Sequence, residues 1–256
     1  MTGTTTTTAP PAAKERPIIF TGGNPGLIVA GHKTMTRRVV EGDPHRLPFA
    51  HRLPDGSWEF SDRDEPSAAP VAEQPGVRCR HGDVGDRLWV KEGWRSAVEL
   101  DVLTPRSIGQ RAVEAGYARP WMPTRFDSDG TTLNWDPTTW GDPGRRRNAR
   151  YLPRWASRSI LEVTELRVER LQAITEADVE AEGLTSWTKD GRLWKWGPCE
   201  VHVPSGERDP LWPWTDLPTS AREAWARTWD GIHGAGAWEA DPWVWVVGFK
   251  RVEVRP

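Results

Sequence analysis

The amino-acid sequence predicts a single domain of the α+β class, in which short strands and a few helices are separated by long irregular segments. Apolar and β-branched residues alternate or run together over five segments, at residues 17–20, 34–40, 88–92, 160–171 and 242–249. Capping residues and glycine stops indicate three helices, at residues 24–31, 175–183 and 219–232. A chain of 256 residues, 37% hydrophobic and 27% charged, is long enough for one sizeable core.

The composition limits the partners that the protein can take. A formal charge of -2 gives no global positive field, so any nucleic-acid contact must come from a local basic cluster. The two cysteines, Cys79 and Cys199, match neither a disulfide framework nor a zinc-ligand spacing, which favours a reducing cytoplasm. No apolar run approaches the roughly 18 to 20 residues of a membrane span, so we expect no membrane contact. We also expect no metal and no other cofactor.

The start of the chain predicts a tail followed by a strand and a short helix. Residues 1–15 have low complexity, with a threonine run and an Ala-Pro-Pro-Ala-Ala sequence, and are predicted to be disordered. The folded domain, residues 16–256, begins with the strand at 17–20. A Gly-Gly-Asn-Pro turn then opens a helix that ends near Gly31.

Residues 31–38, with the sequence Gly-His-Lys-Thr-Met-Thr-Arg-Arg, form the segment that we interpret as the centre of a functional site. On a strand, Thr36 and Arg38 share one face, and Lys33 points away unless the corner at Gly31 turns it round. A joint role for Lys33 and Thr36 therefore requires them to lie at the start of the strand. The alternative is an ordinary basic edge strand, because Lys and Arg often blunt exposed sheet edges.

The strand at residues 88–92 carries further candidate residues at its end. Leu88 and Val90 share one face, which Glu92 continues, whereas Trp89 lies on the other face. One interpretation is a buried strand and nothing more. The other is that Glu92 and Trp94 reach a pocket beyond the end of the strand.

Three insertions interrupt these elements, at residues 41–82, 98–148 and 186–216. They are rich in turn-forming residues, and we expect them to be irregular apart from a hairpin arm at 57–60 and a hairpin turn at 190–191.

A basic cluster ends the second insertion, at residues 145–147 with Arg150 close behind. Runs of arginine usually form a solvated face. Beside Tyr151, Trp155 and Arg158, the cluster could instead be a phosphate-contacting rim with a stacking residue.

The next helix places a carboxylate where the helix dipole opposes it. Thr175 and Asp178 resemble a capping box, and Gly183 stops the helix, so Glu182 lies at the C-terminal end. An acidic side chain there is mildly unfavourable unless solvent or a cation compensates for it. Lys33 is a candidate for that cation.

The patterns of the remaining elements indicate how these elements pack in the core. The strand at 160–171 has a slip around residues 164–165, which indicates a bulge. Thr219 caps a helix, and the strand at 241–249 is apolar on both faces, which predicts a central position in a sheet or barrel. The helix should face the core with the residues that recur at three- and four-residue spacing: Ala221, Ala224, Trp225, Thr228, Trp229 and Ile232.

Taken together, these segments resemble the ASCH family of the PUA-like superfamily, in the form of its larger phage- and prophage-encoded members. The resemblance covers about half of the chain, and its most specific part is the Gly-x-Lys-Thr-x-Thr-x-Arg pattern. It implies a small, partly closed β-barrel with short flanking helices and a cleft. The matching segments are residues 17–20, 31–38, 85–94, 153–158, 171–183, Trp238 and the strand from residue 242.

The resemblance also implies a site. The catalytic Lys, Thr and Glu of small bacterial acetylcytidine amidohydrolases fall on Lys33, Thr36 and Glu182. This sequence departs from their pattern in its length, in its insertions and in Arg37. Around the catalytic residues we expect substrate-binding roles for Arg38, Glu92, Trp94, Trp155, Arg158 and Trp89. Candidates for stacking on a pyrimidine are Trp89, Trp94, Trp155 and Trp243.

Two classes of function follow. The first is an amidohydrolase acting on a modified pyrimidine nucleoside or nucleotide, in which Lys33 activates the Thr36 hydroxyl and Glu182 protonates the leaving amine. The second is a module that binds single-stranded RNA without amide hydrolysis, or that cleaves RNA weakly by a Lys-assisted reaction. For the enzyme we expect Lys33→Ala to abolish turnover with little loss of stability. For the binder we expect affinity to fall steeply with salt.

Overall fold

A five-stranded mixed sheet organises the fold of this protein. The structure is a computed structural model that describes residues 13–42, 44–66, 76–188, 190–199 and 216–252. In chain order the strands are β1 (Glu15–Ile19), β2 (Met35–Val39), β3 (Phe49–Arg52), β4 (Trp58–Ser61), β5 (Arg87–Lys91), β6 (Trp94–Arg95), β7 (Thr124–Phe126), β8 (Thr132–Leu133), β9 (Ile160–Arg170), β10 (Leu184–Thr188), β11 (Trp194–Pro198) and β12 (Trp243–Val252). The helices are α1 (Asn24–Ala30), α2 (Pro105–Glu114), α3 (Pro137–Trp140), α4 (Glu176–Ala181) and α5 (Ala221–His233).

The main sheet has the strand order β1, β5, β9, β12, β2. Strands β1 and β5 are parallel, and all other neighbours are antiparallel. One face packs an apolar cluster that includes Ile18, Leu88 and Trp245 and is completed by the β3–β4 hairpin. The other face packs against α4 and α5. The α+β class that the sequence predicts is confirmed.

Strand β12 lies inside this sheet, between β9 and β2, and both of its faces are apolar. Its residues 243–249 are all buried, and a fully buried aliphatic side chain contributes about 1.5–3 kcal/mol. The predicted bulge is confirmed: Gly248 pairs with Glu165 and Phe249 with Val163, so Thr164 is left over. A Cβ atom on Gly248 would lie 2.9 Å from the Glu165 Cβ, so the close pairing requires glycine here.

The edge strands β1 and β2 approach each other without pairing. Within the described residues no strand ladder joins them, so the sheet does not close into a barrel. Arg38 nevertheless donates a hydrogen bond from Nη2 to the Ile19 carbonyl oxygen at 2.8 Å, and its guanidinium lies 5.0 Å from the Phe20 ring centroid. A side chain of one edge thus contacts the backbone of the other.

The helix boundaries agree closely with the local signals. Gly31 ends α1 with φ 80°, and α4 carries the reciprocal Thr175 and Asp178 capping box. The N-cap of α5 is Ser220, one residue beyond the predicted Thr219. The prediction for Ile232 was wrong, because this last stripe position is 58% exposed where the helix runs past the sheet.

The second insertion is more ordered than the sequence indicates. Its β6–β7–β8 sheet and helix α2 enclose a separate apolar cluster, which includes Trp94, Ile108, Met122 and Phe126. The buried residues of helix α2 are Ile108 and Gly109, so this helix meets the cluster along a narrow face. The hairpins β3–β4 and β10–β11 confirm the two predicted turns.

Most of the predicted N-terminal tail lies outside the described residues. Residues 1–12 are not described, and neither are residues 67–75 and 200–215 of the first and third insertions. The predicted end of the tail at residue 15 was wrong, because Glu15 already belongs to β1 and the Lys14 carbonyl accepts a hydrogen bond from the Arg87 N–H.

Both cysteines are free. None of the helices described has the length and apolar character needed to span a membrane.

Candidate functional site

A buried ion pair between Lys33 and Glu182 lies at the centre of the site. The Lys33 Nζ donates to Glu182 Oε2 at 2.5 Å and to the Glu182 carbonyl oxygen at 2.8 Å. Only 4% of the Lys33 side chain and 1% of the Glu182 side chain are exposed. The contact proposed from the sequence, in which Lys33 compensates a carboxylate at a helix end, is therefore confirmed.

Local chain geometry brings the two side chains together. After the left-handed Gly31, the N–H groups of His32 and Lys33 both donate to the Leu27 carbonyl oxygen, so Lys33 lies in a turn ahead of β2. At the other side Gly183, with φ 97°, turns the chain directly after Glu182. A Cβ on Gly183 would lie 2.9 Å from Leu27 Cδ1, so both its φ and its packing require glycine.

Opposing effects act on the pKa of Lys33. Burial disfavours the charged ammonium and lowers the pKa, whereas the charge and the hydrogen bond of Glu182 raise it. The net direction is downward, because burial is the largest effect, and the positive charges of Arg38 and Arg37 lower the pKa further. A lysine with a lowered pKa can act as a base more readily than one in water.

Arg37 is the site residue that the sequence reasoning missed. Its side chain is fully buried, and it contacts three carboxylates: Nη1 lies 3.4 Å from Glu182 Oε1, and Nη2 lies 3.0 Å from Asp178 Oδ2 and 2.6 Å from Glu169 Oε1. A signal was available, because alternation on β2 places Arg37 on the same face as apolar Met35. An arginine on a core-facing position has to be paired.

Asp178 and Glu169, two of the carboxylates that Arg37 contacts, have a further cationic partner in Arg167. Burial raises the pKa of Asp178, but hydrogen bonds from Arg167 and from the Thr175 N–H, with the charge of Arg37, bring it below its ordinary value. Arg167 Nη2 lies 2.8 Å from Asp178 Oδ1, and its Nε lies 3.0 Å from Glu169 Oε2. Glu182 is thus held at the end of a connected ionic network.

Thr36 and Arg38 lie on the other face of β2. They pair with Val247 and Trp245 of β12, whose side chains belong to the opposite apolar cluster. Thr36 is 4% exposed, and its hydroxyl has no hydrogen-bond partner among the described residues. Lys33 precedes the first residue of β2, as a joint role with Thr36 requires.

Glu92 and Arg158 form a second, separate ionic cluster. Arg158 binds Glu92 through two parallel hydrogen bonds of 2.8 Å and also contacts Asp129 Oδ2 at 2.8 Å. Ser128 donates to Glu92 at 2.8 Å, and the Arg158 guanidinium lies 4.2 Å from the Phe126 ring centroid. These two predicted substrate-binding residues therefore fix the second insertion to the end of β5, and neither contacts Lys33 or Glu182.

The predicted stacking residues occupy different environments. Trp94 is fully buried in the second insertion, with Arg147 against its ring, and Trp243 is 7% exposed under Arg170. Trp89 is partly buried on β5 with the Lys91 ammonium 5.1 Å from its ring centroid. Trp155 lines a surface groove.

The arginines 145–147 do not form a uniform rim. Arg147 is buried, and its guanidinium donates to the carbonyl oxygens of Leu103 and Leu100 at 3.0 and 2.9 Å. Arg145 and Arg146 are exposed, and Arg146 pairs with Asp127. Arg147 therefore holds the second insertion together from inside.

His81 lies close to Arg38 and is 6% exposed. Burial and the positive charges of Arg38, Arg80 and Arg16 lower its pKa to about 4. A buried histidine in this environment is neutral at pH 7.

Acidification is expected to destabilise the protein through His81. In the unfolded chain its pKa is 6.5, so the unfolded state binds the proton first, and stability falls as the pH drops from 6.5 to about 4. Over that window the loss is about 3 kcal/mol. Urea unfolding at about pH 7 and pH 4.5 should show a smaller loss for His81→Gln than for the wild type. Equal losses would contradict the prediction, because carboxylates contribute alike to both proteins.

Within the described ranges, no group of three or more His, Cys, Asp or Glu side chains is arranged to hold a metal ion. Comparison of the chain with protein-family models, with curated proteins and with solved structures finds no match. The function therefore has to be argued from the site itself.

Proposed function

We propose that this protein is an amidohydrolase that removes an acyl group from the exocyclic amine of a modified cytosine nucleoside or nucleotide. We also propose that its sheet is a PUA-like barrel of the ASCH type, held partly closed by the contact between Arg38 and the Ile19 carbonyl. Lys33, Thr36 and Glu182 are the catalytic residues in this proposal, and Arg38 is the group that stabilises the oxyanion.

The observation that carries the proposal is the 2.5 Å contact between Lys33 and Glu182 in a buried setting. Burying an ion pair costs desolvation free energy, and hydrophobic residues of similar size would often be as stable. Perturbed, buried titratable pairs are therefore common at functional sites.

The same contact disfavours the binding module that is the alternative function. A lysine that recognises RNA presents its charge to phosphates and depends on salt. Lys33 is 5% exposed and neutralised by a carboxylate, so it offers little positive charge to a phosphate. Proton transfer suits this arrangement better than phosphate binding does.

The chemistry divides between two faces of β2. Glu182 accepts a proton from Lys33, and the neutral amine then takes the hydroxyl proton of Thr36 as the oxygen attacks the amide carbonyl. The C–N bond breaks, and Glu182 returns its proton to the departing amine of cytosine. Water then hydrolyses the acyl ester on Thr36. In this cycle the Lys33 amine moves from Glu182 to the Thr36 hydroxyl. The flexible four-carbon stem of lysine allows this movement.

Thr36→Val is expected to reduce deacylation of N4-acetylcytidine by at least about 100-fold, because the variant keeps the shape of the residue and lacks the hydroxyl. Turnover is measured by absorbance and mass on a panel of acylated cytosine nucleosides, nucleotides and short RNAs. Thr34→Val is the matched control, since Thr34 is exposed one position before β2.

The outcomes separate the alternatives. Full activity in Thr36→Val would remove the threonine from the mechanism and leave water as the nucleophile. A wild type that deacylates no member of the panel and binds single-stranded RNA would replace the enzyme with the RNA-binding module.

A further inference from the structure

A surface groove of about 550 Å³ lies between α2 and the segment that follows the second insertion. Its walls are apolar or aromatic at most positions, including Pro105, Pro120, Pro153, Tyr151 and Trp155. Tyr151 is 60% exposed, so its ring is open to a ligand. Planar, apolar walls of this kind suit a flat aromatic ligand.

The position of Trp155 in this groove is fixed at a cost to α2. A Cβ on Gly109 would lie 2.8 Å from Trp155 Cζ2 and 3.0 Å from Pro120 Cβ. Glycine is less favourable than alanine inside a helix, so α2 is less stable than it would be with alanine, and the indole of Trp155 can approach its backbone closely. The ring is thereby held rigid beside the exposed Tyr151.

Positive charge surrounds the groove. Residues 143–158 contain six arginines and no acidic residue, although the whole chain has a net charge of -2. Several of these arginines are used internally, but Arg150 beside Tyr151 is exposed, as is Arg106 in the groove wall. Neither forms an ion pair with any carboxylate of the described residues.

A short line of contacts connects the groove with Arg38 of the candidate site. The Lys91 ammonium donates to the Arg150 carbonyl oxygen, and the Lys91 carbonyl accepts from the Phe20 N–H at 3.0 Å. Arg38 binds the carbonyl oxygen of the preceding residue, Ile19. These contacts run past the ends of the parallel strands β1 and β5, from the residue before Tyr151 to Arg38.

We propose that the groove binds single-stranded nucleic acid, with a base against Tyr151 and Trp155 and phosphates near Arg106 and Arg150. This inference rests on the proposed function and assigns its substrate class: the acylated cytosine lies in a polynucleotide, and a neighbouring nucleotide occupies the groove. Aromatic stacking beside free arginines is the arrangement by which proteins bind single strands without reading their sequence. A free nucleoside has neither the second base nor the phosphates to use it.

Fluorescence anisotropy with labelled oligocytidine of about eight nucleotides, as RNA and as DNA, tests the inference. Tyr151→Ala is expected to weaken binding about 10-fold through lost stacking. Arg106→Ala and Arg150→Ala should each lower the slope of log affinity against log salt by about 0.7. The controls are Tyr117→Ala and Arg63→Ala, which remove an exposed tyrosine and an exposed arginine elsewhere.

Each outcome decides one question. Unchanged affinity in Tyr151→Ala and Arg150→Ala, or binding of a proline-rich peptide in place of the oligonucleotide, would overturn the groove as a nucleic-acid site. Equal deacylation of the nucleoside and of the oligonucleotide, insensitive to Tyr151→Ala, would overturn the polynucleotide substrate and leave the enzyme intact. Oligonucleotide binding without any deacylation would overturn the proposed function together with its polynucleotide substrate, and would leave the groove as a nucleic-acid site.

Discussion

Lys33→Met is expected to abolish amide hydrolysis and to lower the free energy of unfolding by about 3–5 kcal/mol. The loss of stability follows from burial: Glu182 is 3% exposed, and without the ammonium its nearest cation is Arg37, at 3.4 Å. Removing one partner of a buried pair leaves a charge in a place that water cannot reach. Denaturant unfolding measures the stability, and deacylation of N4-acetylcytidine measures the activity.

The double variant Lys33→Met/Glu182→Gln separates the two effects. It removes both charges, so most of the stability should return while the activity stays absent. A single Lys33→Met variant that folds as stably as the wild type would contradict the burial of the pair. Retained turnover in the double variant would exclude both residues from the mechanism.

Arg37→Met is expected to destabilise the protein by about 3–5 kcal/mol, because three carboxylates lose a shared buried cation. The loss should be larger at about pH 6 than at about pH 3. Against the effect of burial, hydrogen bonds from Arg167 and the Thr175 N–H, with the charge of Arg37, hold the pKa of Asp178 below its ordinary value of 3.8. The stabilisation that Arg37 gives to this carboxylate is therefore present above that pH and is lost as Asp178 binds a proton below it. Unfolding at both pH values measures the difference.

Activity distinguishes a positioning role of Arg37 from a structural one. With Arg37 absent, Glu182 Oε1 loses its 3.4 Å contact and the carboxylate is less well positioned, so kcat should fall while KM changes little. Arg167→Met is the matched control, since Arg167 shares Asp178 and Glu169 but does not contact Glu182. An unchanged kcat in Arg37→Met would show that Arg37 acts on stability only.

Features with a local cause could be predicted from the sequence. The cap at Thr175, the stop at Gly183 and the bulge at Thr164 each depend on a few neighbouring residues, and all three are present. The pairing of Glu182 with Lys33 was one of two predicted alternatives, because a carboxylate at a helix C-terminus is compensated either by solvent or by a cation.

Features with a distant cause could not be predicted. Arg158 and Arg147 belong to one basic stretch of sequence, yet Arg158 binds Asp129 and Arg147 binds the Leu100 and Leu103 carbonyls, which only the fold brings near. The sequence predicts that the loss of Lys33 costs little stability, whereas its burial in the structure predicts a large cost. The burial of Lys33 depends on α4 lying against β2, and no local sequence pattern indicates it.

The bidentate contact between Arg158 and Glu92 has a consequence for how the molecule opens. Arg158 also binds Asp129, and Trp94 exchanges backbone hydrogen bonds with Arg147, so the second insertion is joined to β5 through groups without access to water. The second insertion cannot separate from β5 without exposing the charges of Arg158 and Glu92 or the side chain of Trp94. The insertion and the main sheet therefore constitute one cooperative unit, whose backbone amides exchange with solvent in a shared opening.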